Sequence, residues 1–198
     1  MKIKRPISKS IAPKNAKRVF KGEIFDVYQW QQKMYDGSFA TFEKLKRSDT
    51  VQVIPVTEDG KIILLKQSQP GFRKPCLSVA GGRIDPGETP LRAAHRELLE
   101  ETGYKAKKME LWYSVQPNAK IDYAVYGFIA KGCRKVAAQN LDAGEKIKIK
   151  IVSLQEFLRV VFEKGFYDPE IALRILKESG NWKNLFKDMK AVKKRFLD

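Results

Sequence analysis

Histidine occurs once in this chain, as His95, and cysteine twice, as Cys76 and Cys133. A single imidazole excludes a catalytic base working beside a second histidine ligand. Neither cysteine lies in a CxxC pair or near the histidine, so neither reads as a metal ligand. Two isolated thiols fit a reducing compartment, and the expectation is a cytoplasmic protein. No apolar run approaches the roughly 18 residues that a membrane-spanning helix needs, so no span is expected. The opening MKIKRPISKSIAPKNAKR has no apolar centre and does not read as a secretory signal; it is Lys-rich where a transit peptide is Arg-rich. Acid is missing from residues 1–21, which hold eight Lys/Arg and supply half of the formal net charge of +16. The stretch from Trp182 onward is also rich in lysine. Such ends attract polyanions, among them phosphorylated substrates, RNA and anionic surfaces. Without an Arg-rich stripe or an RNA-binding aromatic motif, a solvated basic surface is the favoured reading.

What is present suffices for a core, since 43% of the residues are hydrophobic and 11% aromatic. VFKGEIFDVYQWQQKM alternates partially and reads as strand, YDGS as a turn, and FATFEKLKR as a hairpin partner. VQVIPVTEDGKIILLKQ reads as a second hairpin around EDG at 58–60. PGFRKPCLSVAGGRIDPGE is rich in Gly and Pro and reads as a loop with one short strand, LSVA. TPLRAAHRELLEETG is a helix, with Thr89 as N-cap, Pro90 in the first turn and Gly103 at the end. MELWYSVQ, YAVYGFIAKG and IKIKIVSL read as strands. SLQEFLRVVFEKG opens on a capping box of Ser153 and Glu156, DPEIALRILKESG on Asp168 and Pro169, and both read as helices. NWKNLFKDMKAVKKRFLD carries one apolar face through Trp182, Leu185, Phe186, Met189, Val192 and Phe196. That face either packs on the domain, the favoured reading, or docks a partner or membrane surface. Strands, one helix, more strands and then helices argue a mixed α/β domain with a helical C-terminal extension.

The basic chain concentrates acid in one place. GGRIDPGETPLRAAHRELLEETGY holds five acidic residues, with Glu97, Glu100 and Glu101 inside five positions. Spacings of three and four put these glutamates side by side on a helix, with Leu91, Ala94 and Leu98 as the expected core stripe opposite. His95 shares a rough face with Leu91 and Leu98, and a partly buried structural role is expected for it. Alone, such a cluster is commonly a solvated face; close carboxylates also suit hard divalent cations such as magnesium or manganese.

The wider spacing decides between these. Gly82 is followed after five residues by Glu88, and after seven more by Arg96-Glu97-Leu98-Leu99-Glu100-Glu101-Thr102-Gly103. This resembles the Nudix box, G-x5-E-x7-R-E-U-x-E-E-x-G-U with U aliphatic; the one departure is Tyr104 at the last U. The resemblance implies a Nudix-type α/β/α sandwich with a mixed sheet, a small N-terminal β element and a helical C-terminal extension. The expected parts are a basic arm at 1–18, a β element at 19–50 that helps build a homodimer, a hydrolase domain at 51–180 and a basic amphipathic helix at 181–198.

By the same resemblance Glu97, Glu100 and Glu101 ligate Mg2+ or Mn2+ with help from the Gly81 carbonyl, and Glu100 counts among the catalytic residues. Glu88 and Arg96 brace the loop around them. Glu145, in LDAGEKIKIKIVSL, takes the place of the family's loop base; the other reading is a plain turn glutamate. The layout of the N-terminal strands is similar to the ADP-ribose and nucleoside diphosphate sugar branch, and Tyr28, Trp30 and Phe72 are candidates to stack on a nucleobase. The implied reaction is metal-dependent hydrolysis of the diphosphate bond in ADP-ribose or an NDP-sugar, giving a nucleoside monophosphate and a sugar phosphate. Three departures touch that branch: Gln67-Ser68-Gln69 stands for Gln-Tyr-Arg, Ser78 stands for a glutamate, and Pro117 comes earlier than the branch's marker proline. An RNA 5′-end pyrophosphohydrolase and a non-catalytic nucleotide-binding module stay open as alternatives.

Overall fold

The computed structural model describes residues 3–179 and 190–197. Alternating β-branched and polar residues form strands wherever the sequence alternates, and turn residues separate them. In chain order the strands are β1 (Lys17–Lys21), β2 (Asp26–Lys33), β3 (Phe39–Lys46), β4 (Thr50–Thr57), β5 (Ile62–Ser68), β6 (Cys76–Ser78), β7 (Ala80–Arg83), β8 (Tyr104–Lys105), β9 (Lys108–Val115), β10 (Ile121–Asp122), β11 (Val125–Lys135) and β12 (Lys146–Val152). The helices are α1 (Pro90–Thr102), α2 (Leu154–Val160), α3 (Pro169–Glu178) and α4 (Lys190–Leu197).

Two sheets result. The smaller runs β1-β2-β3-β10. The larger runs β12-β5-β4-β11-β8, with β9 also on β11. In it β4 and β11 are parallel, while β5 runs antiparallel to β12 and to β4. The expected β4–β5 hairpin is correct only near its turn, where Val56 pairs with Ile62. Beyond that point the strands splay, and the expected single strand LSVA fills the gap as two pieces. β6 pairs with β5 and β7 with β4, and the chain changes partner at Val79.

The larger sheet buries both faces, which explains its nearly continuous apolar strands. Val51, Val53, Tyr126 and Phe128 pack with Ala93, Ala94 and Leu98 of α1 on one face. Ile54, Val56, Ile62 and Leu64 pack with Phe157, Leu158, Ile171, Ile175 and Phe196 of α2–α4 on the other. Phe196 meets Trp112 edge-on at 5.4 Å and Phe157 at 5.8 Å, so the C-terminal helix is anchored by this ring. Trp182, Leu185, Phe186 and Met189 of its expected apolar face lie outside the described residues. Among the described residues, no helix is long and apolar enough to cross a membrane.

The N-terminal segment is tied down at Arg5, Ser8 and Ser10, while Lys4, Lys9, Lys14, Lys17, Arg18 and Lys21 stay exposed. Arg5 donates from Nε and Nη2 to both Asp49 oxygens at 2.8 and 2.9 Å, and from Nη2 to Asp122 at 2.9 Å. Two acids around one fork raise the Arg5 pKa further. Lys44, almost fully buried, donates to Ser8 Oγ at 3.0 Å and to the Ser10 carbonyl. Lys44 is thus a cation held inside the fold, whereas Arg5 makes its bonds at the surface.

Candidate active site

Helix α1 is built as its punctuation predicts. Thr89 Oγ1 accepts the Arg92 N–H at 3.3 Å, and Gly103 ends the helix at φ 74°, donating to the Leu99 carbonyl. Its orientation agrees with the expected stripe at Ala94 and Leu98 and differs at Leu91. The buried side runs through Ala93, Ala94, Leu98, Glu101 and Thr102, while Leu91 is 40% exposed and His95 is exposed. His95 thus has no buried role. The carboxylates are not displayed opposite the core but graded across its edge: Glu101 is 4% exposed, and the side chains of Glu97 and Glu100 are 12% and 38% exposed. Residues 94, 98 and 101 share one side of a 3.6-residue helix, so Glu101 goes inward with the apolar stripe.

Glycines make room for this. A Cβ at Gly82 would overlap the Glu97 carboxylate, and one at Gly81 would overlap the Val51 carbonyl of β4. Gly81 N–H donates to Glu101 Oε2 at 2.7 Å. Arg96 donates to both Glu88 oxygens at 3.2 and 3.0 Å, to the Arg83 carbonyl at 2.9 Å, to Glu97 at 2.7 Å and to Glu100 at 3.2 Å. The guanidinium lowers the Glu88 pKa. Burial raises that of Glu97, against the pull of Arg96. Burial also raises Glu101, to about 9, with Glu97, Glu145 and Asp168 adding to the effect.

Gly81, Gly82, Arg96, Glu97, Glu100 and Glu101 line a cleft of about 730 Å3 at the end of the larger sheet, and Glu88 braces Arg96 from outside that lining. Glu145 reaches it because the loop before β12 is tied to the end of α1: Asn140 N–H donates to the Glu100 carbonyl at 2.8 Å and Gln139 to the Glu101 carbonyl at 2.6 Å. Glu145 also accepts the Asp142 N–H at 3.2 Å, so it is a turn residue that faces the carboxylates. Gln67, which keeps the first position of the branch pattern, and Ser78, which departs from it, bond to each other at 2.7 Å on adjacent strands. Gln67 and Gln69 line the cleft.

Three candidates lie elsewhere. Tyr28 and Trp30 sit on β2 in the smaller sheet and do not line this cleft; Trp30 packs at 6.0 Å from Phe42, which shares its sheet. Phe72 stands behind Tyr167, ring to ring at 5.7 Å, and Tyr167 is the one on the cleft wall. Sequence reasoning missed four residues the fold brings to the cleft. Arg47 holds its guanidinium 5.1 Å from the Tyr123 ring and 5.9 Å from Phe25. Gln52 and Asp168 bond to each other at 2.9 Å. Arg47 and Tyr123 occupy linkers before β4 and β11, which carry no local motif; Asp168 is explained locally as a helix start, which hides its second role.

The donor set suits a hard divalent cation. Three carboxylates of graded burial share one helix, and a guanidinium already bridges two of them. Among the described residues no three acids stand in ligating geometry, because Arg96 draws Glu97 and Glu100 to itself while Gly81 holds Glu101.

An α/β/α sandwich with an acid-lined cleft beside a loop–helix–loop defines the class of fold. The NUDIX domain matches residues 46–171, well over half of the chain, so the protein belongs to that family and is a Nudix hydrolase. It is 31% identical over 162 residues to the ADP-ribose pyrophosphatase of Bacillus subtilis (strain 168), covering 80% of this chain and 86% of that one. It is 27% identical over 161 residues to the methanol dehydrogenase activator of Bacillus methanolicus, again 80% and 86%. A crystal structure of an ADP compounds hydrolase matches with a TM-score of 0.68 at 19% identity, over 96% of this chain and 98% of that one. At that identity the likeness speaks for the fold.

Proposed function

We propose that the protein hydrolyses the diphosphate bond of a nucleoside diphosphate joined to a sugar, with ADP-ribose as the first substrate to test. The observation that carries this reading is the cleft itself, which Glu97, Glu100, Glu101, Glu145 and Arg47 line together. Similarity to an ADP-ribose pyrophosphatase along most of both chains supports the choice of substrate.

Glu97, Glu100 and Glu101, with the Gly81 carbonyl, would hold Mg2+ or Mn2+. A divalent cation bound there offsets phosphate charge and acidifies water. The chain's own groups do the rest. Glu88 fixes Arg96, which keeps Glu97 and Glu100 beside the cleft. Gly81 fixes Glu101. Glu145 accepts the proton of the water that attacks phosphorus as the bridging P–O bond breaks, leaving a nucleoside monophosphate and a sugar phosphate. Arg47 offers a cation to the nucleotide from the cleft wall. Val19, Phe20, Ile24 and Phe39 leave apolar surface exposed on or beside the smaller sheet, which supports a homodimer.

The test is a panel of ADP-ribose, NDP-sugars, dinucleoside polyphosphates, nucleoside triphosphates and triphosphorylated RNA, run with Mg2+ and with Mn2+. Turnover of ADP-ribose or an NDP-sugar is expected; turnover of RNA ends alone would overturn the proposal.

A further inference from the structure

We propose that Asp168 is a positioning residue for the α1 carboxylates, holding the strand break at Val79 and, through Gly81, setting where Glu101 lies. The inference rests on the hydrolytic reading above. At Val79 the chain leaves β5 and joins β4. In extended chain the N–H groups of residues i and i+2 lie on the same edge. The Val79 N–H donates to Asp168 Oδ2 at 3.0 Å, and the Gly81 N–H donates to Glu101 Oε2 at 2.7 Å. One short edge is thus gripped twice, once from each helical layer.

Helix α3 does not account for Asp168. The residue occupies the N-cap position yet makes no side-chain capping bond. It is instead 7% exposed and lines the cleft. Its carboxylate is oriented by a chain of donors. Gln52 Nε2 donates to Asp168 Oδ1 at 2.9 Å, and the Tyr113 hydroxyl donates to Gln52 Oε1. Gln52 is the ladder partner of Gly81, and the Tyr113 ring lies over Gly127, where a Cβ would overlap it. The ionisable groups acting around Asp168 are Glu170, Glu101, Cys76 and Tyr113. Among the described residues no cation bonds it, so its two N–H partners compensate a buried acceptor. Every hydrogen-bond direction is then determined: Tyr113 donates, Gln52 relays, and Asp168 accepts twice.

Moving the carboxylate across this pair tests the claim. Asp168→Asn keeps the Val79 N–H bond only if the Gln52 amide turns over to accept the new NH2, which sets Gln52 Nε2 against the Tyr113 oxygen and takes away the acceptor of the buried Tyr113 O–H. Gln52→Glu sets two carboxylates face to face. Together the two substitutions restore the pattern. The new carboxylate at position 52 accepts from Tyr113 and from the new amide at 168, whose oxygen accepts the Val79 N–H.

The measurements are kcat and KM for ADP-ribose per folded molecule, with folded fraction from near-UV circular dichroism, and Mn2+ affinity by electron paramagnetic resonance. Each single substitution should lower kcat about tenfold or more, change KM less than about twofold and weaken Mn2+ binding; the double variant should recover to within about threefold of wild type. A merely structural role would lower the folded fraction and leave kcat per folded molecule and Mn2+ affinity as in wild type. That result, or a double variant as impaired as the worse single, overturns the proposal. If the wild type cleaves nothing on the panel, the hydrolytic reading fails, and the Mn2+ series alone still decides this inference.

Discussion

Glu101→Gln removes one buried ionisable group and keeps the oxygen that accepts the Gly81 N–H. In metal-free protein the Glu101 pKa stands at about 9 against 4.5 for a free side chain, chiefly because the group is buried. The folded value lies above the unfolded one, so folding takes up a proton between those two values. The contribution of this group to stability is full below the unfolded pKa and is lost as pH rises toward the folded one. At pH 7 the loss is about 3 kcal/mol, at about 1.4 kcal/mol per pH unit. Glutamine does not titrate, and its extra NH2 costs about 1 kcal/mol in such a pocket. Metal-free E101Q should therefore be about 2 kcal/mol more stable than wild type at pH 7, a rise in Tm of roughly 4–8 °C. Calorimetry in EDTA at several pH values between 5 and 9 should show wild type losing stability across the range and the variant losing less, with only the slope that Glu97 and Asp168 supply. Adding Mn2+ should raise the wild-type Tm and leave the variant nearly unmoved, and turnover in the variant should be abolished. Equal pH slopes in the two metal-free proteins would refute the reasoning.

Three further outcomes follow from single contacts. Glu145→Gln should slow hydrolysis about a hundredfold while Mn2+ affinity stays within about threefold of wild type; wild-type rates would send the search for the base to another loop carboxylate. Gly82→Ala should push the Glu97 carboxylate out of place and cut kcat by about a hundredfold, with less than about 1 kcal/mol lost in urea unfolding because only a side-chain end must move; unchanged kcat would show that Glu97 has slack. Phe196→Ala should cost about 3 kcal/mol by emptying the space between Trp112 and Phe157; an unchanged Tm would mean that α4 does not anchor there.

Three features legible in the sequence carry only local information. The glutamate spacing marks the helix and its chemistry, yet the depth of each carboxylate depends on which way α1 is rolled against β4 and β7. The strand content of LSVA is legible from its composition, but the break at Val79 arises because β4 and β5 splay, which neither strand encodes alone. The aromatic residues of β2 alternate as a strand should, and nothing local indicates that they belong to a different sheet from the cleft.

Local order was therefore written in the chain by itself: strand alternation, the caps Thr89 and Ser153, and the spacing from Gly82 to Gly103. Each depends on neighbours a few positions apart, where backbone period and hydrogen-bond reach are fixed. The tertiary structure alone decided that Glu101 is buried, that Arg47 and Tyr123 share a wall, and that Gln52 meets Asp168 across 116 positions. Those meetings depend on sheet register and helix packing, which are set by the sum of many weak contacts over both faces of the sheet and leave no mark at the residues they bring together.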